Sequence, residues 1–293
     1  MVYILYNPKA GIGRAQVEDT TVAQHFPGCS FEIKNVLELG DYKTFFNSLL
    51  ADDSVVFMGG DGTLNYFINA IGDAVLRAKI YVYKAGTGND FLHDVCNKDA
   101  AEGTILDISR YVENLPRVTV NGKVYRFLNN VAFGIDGWVC AKGEELSRKT
   151  GKAINYTAVA VKGLLGGFKR VNATVTVDGV TKRYKKVWLA PALNGRYFGG
   201  GMMIAPDQDR NTELLTSVVF YGAGILRTLT IFPKIFTGDH LKYTKYISVL
   251  TGKKISVTFE EPRDLNLDGE VIRGVTSYTA EKTAAPVHAG ERM

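Results

Sequence analysis

Two glycine-rich segments that each contain an aspartate lie in the first third of this 293-residue chain. They are Gly59-Gly60-Asp61-Gly62-Thr63 and Gly86-Thr87-Gly88-Asn89-Asp90. Glycine lets the backbone approach a phosphate closely, and the start of a helix presents free N–H donors to an anion. One such loop is weak evidence for phosphate binding. Two of them, each with an aspartate, predict a site for a nucleoside triphosphate and its metal ion.

Each loop follows an apolar run, 55–58 or 80–83, and precedes a helix-like stretch, 64–71 or 91–95. Further apolar runs at 2–6, 31–36 and 104–108 alternate with helix-like stretches, which is typical of a parallel sheet with helices on its faces. A third loop, Tyr6 to Gly11, follows the first run. Because ligands of open α/β sheets bind beyond the carboxyl ends of the strands, we expect all three loops to face one cleft.

After residue 118 the apolar residues recur at every second position, which predicts antiparallel strands. Asn121-Gly122 and Asp178-Gly179 predict tight hairpin turns, and Ile255, Val257 and Phe259 continue the alternation. A β-sandwich is the expected result. One helix is predicted at 152–166, where Ile154, Ala158, Val161 and Leu165 share one face.

The sequence thus predicts an α/β nucleotide-binding domain over residues 1–118 and an antiparallel β-sandwich over 119–280, with a cleft between them. Residues 281–293 form a tail that we expect to pack back on the first domain.

Composition predicts a globular protein, with 46% hydrophobic and 22% charged residues and a net charge of +5. The three scattered cysteines predict buried, reduced thiols. No apolar run approaches the roughly 18 residues that cross a bilayer. We therefore expect a cytoplasmic protein whose membrane contact is peripheral, with no nucleic-acid partner.

Two carboxylates flank a glycine in Leu267-Asp268-Gly269-Glu270. An isolated Asp-Gly-Glu is usually a turn with solvated acids. Beside two phosphate loops, the same acids predict ligands for Mg²⁺ or a base for a hydroxyl nucleophile. Asp107, near the end of the run at 104–108, has the alternative role of a helix cap.

With these motifs in order, the chain resembles the diacylglycerol kinase catalytic-domain family over residues 7 to about 281. The segments that carry the resemblance are Asn7–Gly11, Gly59–Asn65, Gly86–Phe91, Leu106–Ile108, Asn130–Asp136, Asn194–Met202, Ile204–Pro206 and Leu267–Glu270. Gly-Gly-Asp-Gly alone is less specific, because NAD kinases and phosphofructokinases are similar there.

The resemblance implies a phosphofructokinase- or NAD-kinase-like first domain, ATP and Mg²⁺ as cosubstrates, and a lipid alcohol such as diacylglycerol as the acceptor. It also permits a homodimer. The implied ATP-binding residues are Asn7, Pro8, Lys9, Ala10, Gly11, Gly59, Gly60, Asp61, Gly62, Thr63, Thr87 and Asn89. The implied metal ligands are Asp61, Asp107 and Glu270. Asp268 and Glu270 are the candidate general bases, and the sequence does not decide between them.

The chain departs from the family pattern at 207–216. Asn211, Thr212 and Thr216 stand at or near positions where bacterial relatives have the acids and glycine of an accessory metal site. We expect that site to be absent or altered, with the loop ordered by hydrogen bonds and by packing of Leu214 and Leu215.

Two features bear on the acceptor. Basic residues flank the helix predicted at 152–166 and could contact anionic headgroups, or they could form a solvated face; they are Arg148, Lys149, Lys152, Lys162, Lys169 and Arg170. Tyr197 and Phe198 are candidates for the acceptor pocket or for the core.

Three hypotheses stay open: a lipid kinase, a kinase of a soluble acceptor such as an NAD-kinase-like enzyme, and a non-catalytic lipid- or nucleotide-binding module. Asp61, Asp107, Asp268 and Glu270 argue against the last of these. The need for a lipid surface would separate the first two.

Overall fold

The structure, a computed structural model, describes residues 1–8, 20–72, 74, 76–84, 90–96, 101–152 and 154–282. The first part of the chain forms a five-stranded sheet with the order β2-β1-β3-β4-β5. Its elements are β1 (Val2–Tyr6), α1 (Thr20–His25), β2 (Phe31–Asn35), α2 (Tyr42–Ser48), β3 (Ser54–Met58), α3 (Asp61–Ala70), β4 (Lys79–Tyr83), α4 (Asp90–Val95), β5 (Ile105–Asp107) and α5 (Ser109–Glu113).

Buried apolar residues form the centre of this sheet, since Val55 to Met58 of β3 are inaccessible to solvent. Strands β1 to β4 are parallel, as the sequence predicts. Strand β5 instead runs antiparallel to β4, so the prediction of an all-parallel sheet is wrong for this strand. Its end at Asp107 therefore lies at the edge opposite to the carboxyl ends of β1, β3 and β4.

The rest of the chain forms a nine-stranded antiparallel sheet, a two-stranded ribbon and several helices. Its strands are β6 (Arg117–Val120), β7 (Lys123–Arg126), β8 (Asn130–Gly134), β9 (Val171–Val177), β10 (Val180–Leu193), β11 (Tyr197–Phe198), β12 (Met202–Met203), β13 (Leu215–Tyr221), β14 (Ile247–Gly252), β15 (Lys254–Leu267) and β16 (Glu270–Glu281). Its helices are α6 (Ile135–Thr150), α7 (Tyr156–Lys162), a π-helical turn (Gly163–Gly167), α8 (Ile225–Ile231) and two 3-10 helices (Phe232–Thr237 and Asp239–Lys242).

The two 14-residue strands β10 and β15 fold the larger sheet over on itself. The first part of each strand pairs with β9, and the last part of each pairs with β8. The apolar residues of the alternating pattern, such as Val175, Ile255 and Val257, lie in the core enclosed between these strands. The sandwich and its hairpin turns, including left-handed Asn121 and Gly122, are therefore confirmed.

The helices that cover this sheet were mostly missed. The longest helix, α6, and the helical segment from Ile225 to Lys242 have no predicted counterpart. The helix predicted at 152–166 is α7 with the π turn, and its predicted apolar face is directed mainly to solvent rather than to the core. Val161 and Leu165 are 39% and 60% exposed, whereas Val159 and Leu164 are buried.

Strand β6 begins at Arg117 and pairs with β16, so the strand that carries the predicted boundary belongs entirely to the larger sheet. The division into domains stays a prediction, and residues 283–293 of the tail lie outside the described ranges. The expectation that the cysteines are buried is wrong, because Cys29 is exposed and Cys96 and Cys140 are partly exposed, although all three are free thiols.

Close backbone contact between α6 and β15 depends on Gly137. A Cβ atom at this position would lie 2.1 Å from the carbonyl oxygen of Asp264. We expect Gly137→Ala to lower the free energy of unfolding by about 2 to 3 kcal/mol, since backbone atoms cannot move aside as a side chain can. Urea denaturation followed by circular dichroism measures this change.

Gly62→Ala is the matched control in the first turn of α3, where nothing lies within 4 Å of the added atom. We expect it to be neutral, or stabilising by up to about 1 kcal/mol, from helix propensity. Similar losses in both variants would contradict the contact at Gly137.

Candidate active site

A cavity of about 1150 Å³ lies between the carboxyl edge of the smaller sheet and the larger sheet. Polar side chains from strand ends and helix starts line one part of it, among them Asn7, Asp61, Asp90, Asp136 and Glu270. Apolar side chains from β11 and from the helices that cover the larger sheet line another part, among them Val139, Leu164, Phe198, Phe232 and Phe236. One cavity therefore joins charged groups to a large apolar surface.

Asp61 is the first residue of α3 and connects the two glycine loops of the sequence. Its carboxylate accepts hydrogen bonds from the backbone N–H of Asp90 (2.7 Å) and of Phe91 (3.2 Å), both at the start of α4. Burial and the neighbouring Asp90 carboxylate raise the pKa of Asp61 to about 7. Within the described part of the chain, the ionised form of the Asp61 carboxylate is thus not stabilised by a nearby positive charge that would offset its burial.

Asp90 holds α4 against the glycine triplet that follows β11. Its carboxylate oxygens accept hydrogen bonds from the N–H groups of Gly200 (2.9 Å) and Gly201 (2.7 Å). Both glycines have positive φ, 85° and 92°, a conformation that side chains with a Cβ atom rarely adopt. Asp90 lies within the motif Gly86–Phe91, but its residue type alone did not predict that it binds the glycine triplet.

A second contact of α4 with the part of the chain that forms the larger sheet is an ion-pair cluster on the buried Asp94. The Nε atoms of Arg196 (2.6 Å) and Arg210 (2.5 Å) bind the two oxygens of this carboxylate. A Cβ atom at Gly195 would lie 2.3 Å from the Arg210 guanidinium, so glycine is needed for the pair to form. None of Asp94, Gly195, Arg196 and Arg210 was predicted from the sequence to belong to the site.

Asp268 and Gly269 form the two-residue turn between β15 and β16, with φ of 47° and 96°. The Asp268 carboxylate accepts hydrogen bonds from the backbone N–H groups of Leu128, Asn129 (2.9 Å) and Asn130 (2.8 Å). Burial raises its pKa to about 6 despite these three bonds. This acid is occupied in fixing the backbone that enters β8.

Glu270, by contrast, is exposed and lines the cavity at the start of β16. The two acids around Gly269 therefore differ in environment, although the sequence leaves them equivalent. A proton acceptor must be within reach of the reacting hydroxyl, and this geometry favours Glu270 over Asp268.

Asp136 and Asn266 are polar cavity residues that the sequence analysis left without a role. Asn266 donates to Asp136 Oδ2 (2.6 Å) and accepts from the N–H of Gly269 (2.8 Å). Burial raises the pKa of Asp136 to about 6. Asp136 ends the motif at 130–136 and Asn266 directly precedes the motif at 267–270, and this was the available signal.

The structure does not bring the three proposed metal ligands Asp61, Asp107 and Glu270 together. Asp107 is exposed, pairs in register with Tyr81, and accepts a hydrogen bond from the N–H of Ser109 (2.9 Å) at the start of α5. The physical reason is the antiparallel direction of β5. Asp107 thus accepts one backbone N–H at the start of α5, although the N-cap position itself is Ile108.

The other candidate residues divide into three groups. Asn7, Gly60, Gly62 and Thr63 line the cavity. Gly59 and Pro8 are adjacent in sequence to cavity residues, and a Cβ atom at Gly59 would lie 2.5 Å from Thr63 Oγ1. Lys9, Ala10, Gly11, Thr87 and Asn89 lie outside the described residues.

Of the two aromatic candidates for the acceptor pocket, Phe198 lines the cavity, whereas Tyr197 is buried against the His93 ring, with 4.4 Å between ring centroids. Among the flanking basic residues, Lys149 pairs with Glu145 (2.6 Å), and Arg170 lies over the Trp188 ring. The set does not form one continuous basic face.

Asp61 fits a role as a Mg²⁺ ligand in company with substrate. Mg²⁺ in nucleotide sites usually binds one or two carboxylates, with phosphates and water as its other ligands. Within the described ranges, no group of three or more His, Cys, Asp or Glu side chains could hold a metal alone. The raised pKa of Asp61 is nevertheless the sign of a carboxylate that a cation would stabilise.

The loop at 207–216 is ordered by hydrogen bonds, while only one of its two leucines is buried. Asp209 Oδ1 accepts from the Asn211 N–H (2.9 Å), and Gln208 donates to the Leu214 carbonyl (2.9 Å). Leu215 is inaccessible to solvent, but Leu214 is 38% exposed. The expected packing of Leu214 is therefore wrong.

Two family models match this chain. The model of the diacylglycerol kinase catalytic domain matches residues 1–116, and that of the YegS C-terminal NAD kinase beta sandwich-like domain matches residues 129–286. The second model alone covers more than half of the chain. The chain therefore belongs to the diacylglycerol kinase catalytic-domain family, a family of lipid kinases, and the resemblance in the sequence is confirmed.

Individual relatives agree with this membership. The chain is 25% identical over 276 residues to a diacylglycerol kinase of Staphylococcus carnosus (strain TM300), covering 91% of this chain and 87% of the relative. It is 24% identical over 210 residues to a diacylglycerol kinase of Mycobacterium tuberculosis (strain CDC 1551 / Oshkosh), covering 70% of this chain and 66% of the relative. That match spans slightly less than two thirds of the mycobacterial protein.

A solved structure shares the fold. The crystal structure of a diacylglycerol kinase from Bacillus anthracis str. Sterne matches with a TM-score of 0.63 and 20% identity, covering 97% of this chain and 94% of that chain. An α/β unit followed by an antiparallel β-rich unit is thus confirmed as the fold class. No helix in the described part of the chain is long and apolar enough to span a membrane.

The raised pKa values predict how the stability of the metal-free protein depends on pH. Asp61, Asp136 and Asp268 titrate at about 7, 6 and 6 in the folded protein, above the ordinary value of 3.8. The folded state then binds more protons than the unfolded state between these values, so stability falls as pH rises from about 4 to 7. Asp61→Asn should flatten this fall by on the order of 1 kcal/mol, because a partly exposed group contributes less than its full shift.

Urea denaturation at several pH values in the presence of a chelator measures the fall. Asp52→Asn, at an exposed aspartate of the loop before β3, is the control that should leave the slope unchanged. If Asp61→Asn had the same pH profile as the wild type, the pKa of Asp61 would not be raised.

Proposed function

We propose that this protein is an ATP-dependent lipid kinase that transfers the γ-phosphoryl group to the hydroxyl of diacylglycerol or a related lipid alcohol. The observation that carries the proposal is the single cavity whose lining changes from glycine-loop and acidic residues to apolar side chains. A phosphorylated lipid alcohol needs both environments, one for polyphosphate and one for acyl chains.

The nucleotide end of the cavity is formed by Asn7, Gly60, Gly62, Thr63 and the start of α3. The N-terminal N–H groups of this ten-residue helix favour an anion. Asp61 would hold Mg²⁺ against the phosphates. The chemistry that Mg²⁺ supplies when bound is neutralisation of charge on the phosphoryl oxygens.

The acceptor hydroxyl would lie at Glu270, the exposed acid of the turn. In the reaction, the hydroxyl proton moves to the Glu270 carboxylate, the hydroxyl oxygen forms a bond to the γ-phosphorus, and the bond from that phosphorus to the β–γ bridging oxygen breaks to release ADP. Asp268 keeps Glu270 in place by fixing the turn to the backbone of residues 128–130. Asp136, held by Asn266, is available to bind a second polar group of the acceptor.

The acyl chains would occupy the apolar part of the cavity, between α6, α7 and the first 3-10 helix. Its lining includes Val139, Leu164, Phe198, Phe232 and Phe236. Burial of a single methylene group contributes about 0.8 kcal/mol, so several methylenes in contact with this surface would dominate affinity. A soluble acceptor without an acyl chain would leave it unfilled.

Peripheral contact with a membrane is supported by apolar side chains at the outer surface of the same helices. Leu165 of the π turn is 60% exposed and Leu226 of α8 is 84% exposed, and these two elements contact each other. Exposed Lys162 and Arg227 lie beside them in sequence. Such a mixture of apolar and basic groups suits the interface of an anionic membrane.

The proposal is tested by incubating the protein with labelled ATP, Mg²⁺ and either vesicle-presented diacylglycerol, other lipid alcohols, NAD or soluble polyols. Phosphorylation of a lipid alcohol that is abolished in Asp61→Ala is the expected result. Phosphorylation of NAD or a polyol alone would replace the acceptor class, and absence of transfer to every acceptor would contradict a kinase.

Glu270→Gln should lower kcat by about 10² to 10⁴-fold, the usual contribution of a positioned base, while the free energy of unfolding stays nearly constant. Asp268→Asn should instead lower stability by about 1 to 3 kcal/mol, since an amide NH₂ would face backbone donors. Kinetics and urea denaturation of both variants separate the two roles. Normal turnover by Glu270→Gln would require another base.

The double variant Leu165→Ser, Leu226→Ser should weaken binding to anionic vesicles by at least about tenfold, because each buried leucine contributes roughly 1.5 to 3 kcal/mol. Vesicle co-sedimentation measures this binding. The control is Val180→Ser, which changes a 76% exposed apolar residue of the β9–β10 hairpin. Equal binding by the double variant and the wild type would contradict membrane contact at this surface.

A further inference from the structure

Lys282, the residue that follows β16, has a buried ammonium group that the catalytic proposal does not use. The residue is 1% exposed. Its Nζ atom donates to the side-chain oxygen of Asn194 (2.7 Å) and to the carbonyl oxygen of Arg210 (2.5 Å). Burial lowers its pKa to about 8, so it carries a charge at neutral pH, at a cost in solvation.

The segment that Lys282 contacts is the loop from Asp207 to Thr212. Within the loop, Asp209 accepts from the N–H of Asn211 and its carbonyl accepts from the N–H of Thr212 (3.2 Å). These bonds shape the loop locally. The bond from Lys282 to the Arg210 carbonyl instead ties the loop to the end of the larger sheet.

The Arg210 side chain extends from this loop toward α4, in the part of the chain that forms the smaller sheet. Its side chain is 8% exposed, binds Asp94 at the end of α4, and lies 4.7 Å from the centroid of the Phe91 ring. A buried guanidinium that loses its partner is costly, so the position of the Arg210 backbone decides whether this pair can form.

The same helix supplies the donors that hold Asp61. The N–H groups of Asp90 and Phe91 bind the Asp61 carboxylate, and the α4 residues between them and Asp94 form a single turn. Lys282 is thus connected to Asp61 by hydrogen bonds at Arg210, Asp94 and the start of α4, with the Arg210 residue and one turn of α4 joining these bonds covalently.

We propose that Lys282 is a positioning residue whose buried ammonium acts as a built-in cation, holding the 207–212 loop so that Arg210 binds Asp94 and α4 stays aligned on Asp61. An ammonium has three donors and a full charge, and it binds carbonyl and amide oxygens as a small bound cation would. The loop then needs no added ion to keep this conformation.

The test is amide hydrogen exchange of Lys282→Ala, which does not require any catalytic activity. We expect about tenfold faster exchange in the peptides that cover residues 207–214 and 90–96. Addition of n-propylammonium should restore protection in both peptides, whereas n-butanol, which is uncharged and has a single hydroxyl donor, should not. Lys254→Ala, at a lysine whose side chain is 59% exposed and which pairs in register with Glu281 at the same end of the strand pair, is the control and should leave both peptides unchanged.

A second measurement tests the route through Asp94. In an Asp94→Asn background, Lys282→Ala should no longer change exchange at 90–96, although it still changes exchange at 207–214. Additive effects at 90–96 would overturn the route. Equal rescue by butanol would show that the charge of Lys282 is not needed. Failure of Lys282→Ala to fold in the presence of either additive would show a general role in folding. Each of these results would overturn the proposal.

The consequence for ATP rests on the proposed function. If the protein is the kinase proposed above, Lys282→Ala should weaken ATP binding by several fold with propylammonium rescue, and leave the affinity for lipid vesicles unchanged. Altered exchange without any ATP binding by the wild type would support the positioning role and reject the kinase. Intact turnover with unaltered exchange would do the reverse.

Discussion

Carboxylates that bind backbone N–H groups of a distant segment are the interactions on which the cavity depends. Asp61 binds the start of α4, Asp90 binds the glycine triplet, and Asp268 binds the backbone that enters β8. Each bond joins segments between 29 and 138 residues apart in sequence. A charge-assisted bond to a backbone donor is stronger than a neutral one, so three short segments without regular pairing can keep a fixed geometry around a large cavity.

This arrangement concentrates negative charge at positions where burial disfavours the ionised form. Backbone donors lower the pKa of a carboxylate, yet burial outweighs them at both Asp61 and Asp268. The folded protein therefore carries an electrostatic cost at neutral pH that a bound cation or a proton would relieve. Such a cost is common at functional sites, where perturbed pKa values cluster. Lys282 is the corresponding case for a positive charge. Burial lowers the pKa of its ammonium group, and in the proposed role this group keeps a loop in place.

Local patterns in the sequence were sufficient where the chemistry is local. The glycine loops next to apolar runs located α3 and α4, and two-residue alternation located β9, β15 and their turns. The direction of β5 was not accessible, because a three-residue strand has the same pattern in either direction, so the sequence could not show at which edge of the sheet Asp107 lies. Helix α6 was missed because glycines at 137 and 143 lower helix propensity; their purpose is contact with the β15 backbone and the Tyr156 ring, which only the tertiary structure reveals. The roles of Asp90, Asp94 and Asp136 depend on partners far away in the chain, and no spacing could show them.

The exposed apolar face of α7 and the π turn illustrates a further limit of pattern analysis. Ile154, Ala158, Val161 and Leu165 have the spacing of a buried helical stripe, but spacing identifies only an apolar face and not the surface that covers it. In the structure, Val159 and Leu164 point to the larger sheet, and Val161 and Leu165 point outward. The helix and the π turn therefore have apolar side chains on the buried face and on the exposed face. An apolar cavity on the inner side of α7 and exposed leucines on its outer side place a single thin layer of helix between the interior of the protein and its surroundings. On the proposed function, an acyl chain would cross this layer to enter the cavity, and the helices over the larger sheet, rather than the glycine loops, would select the acceptor.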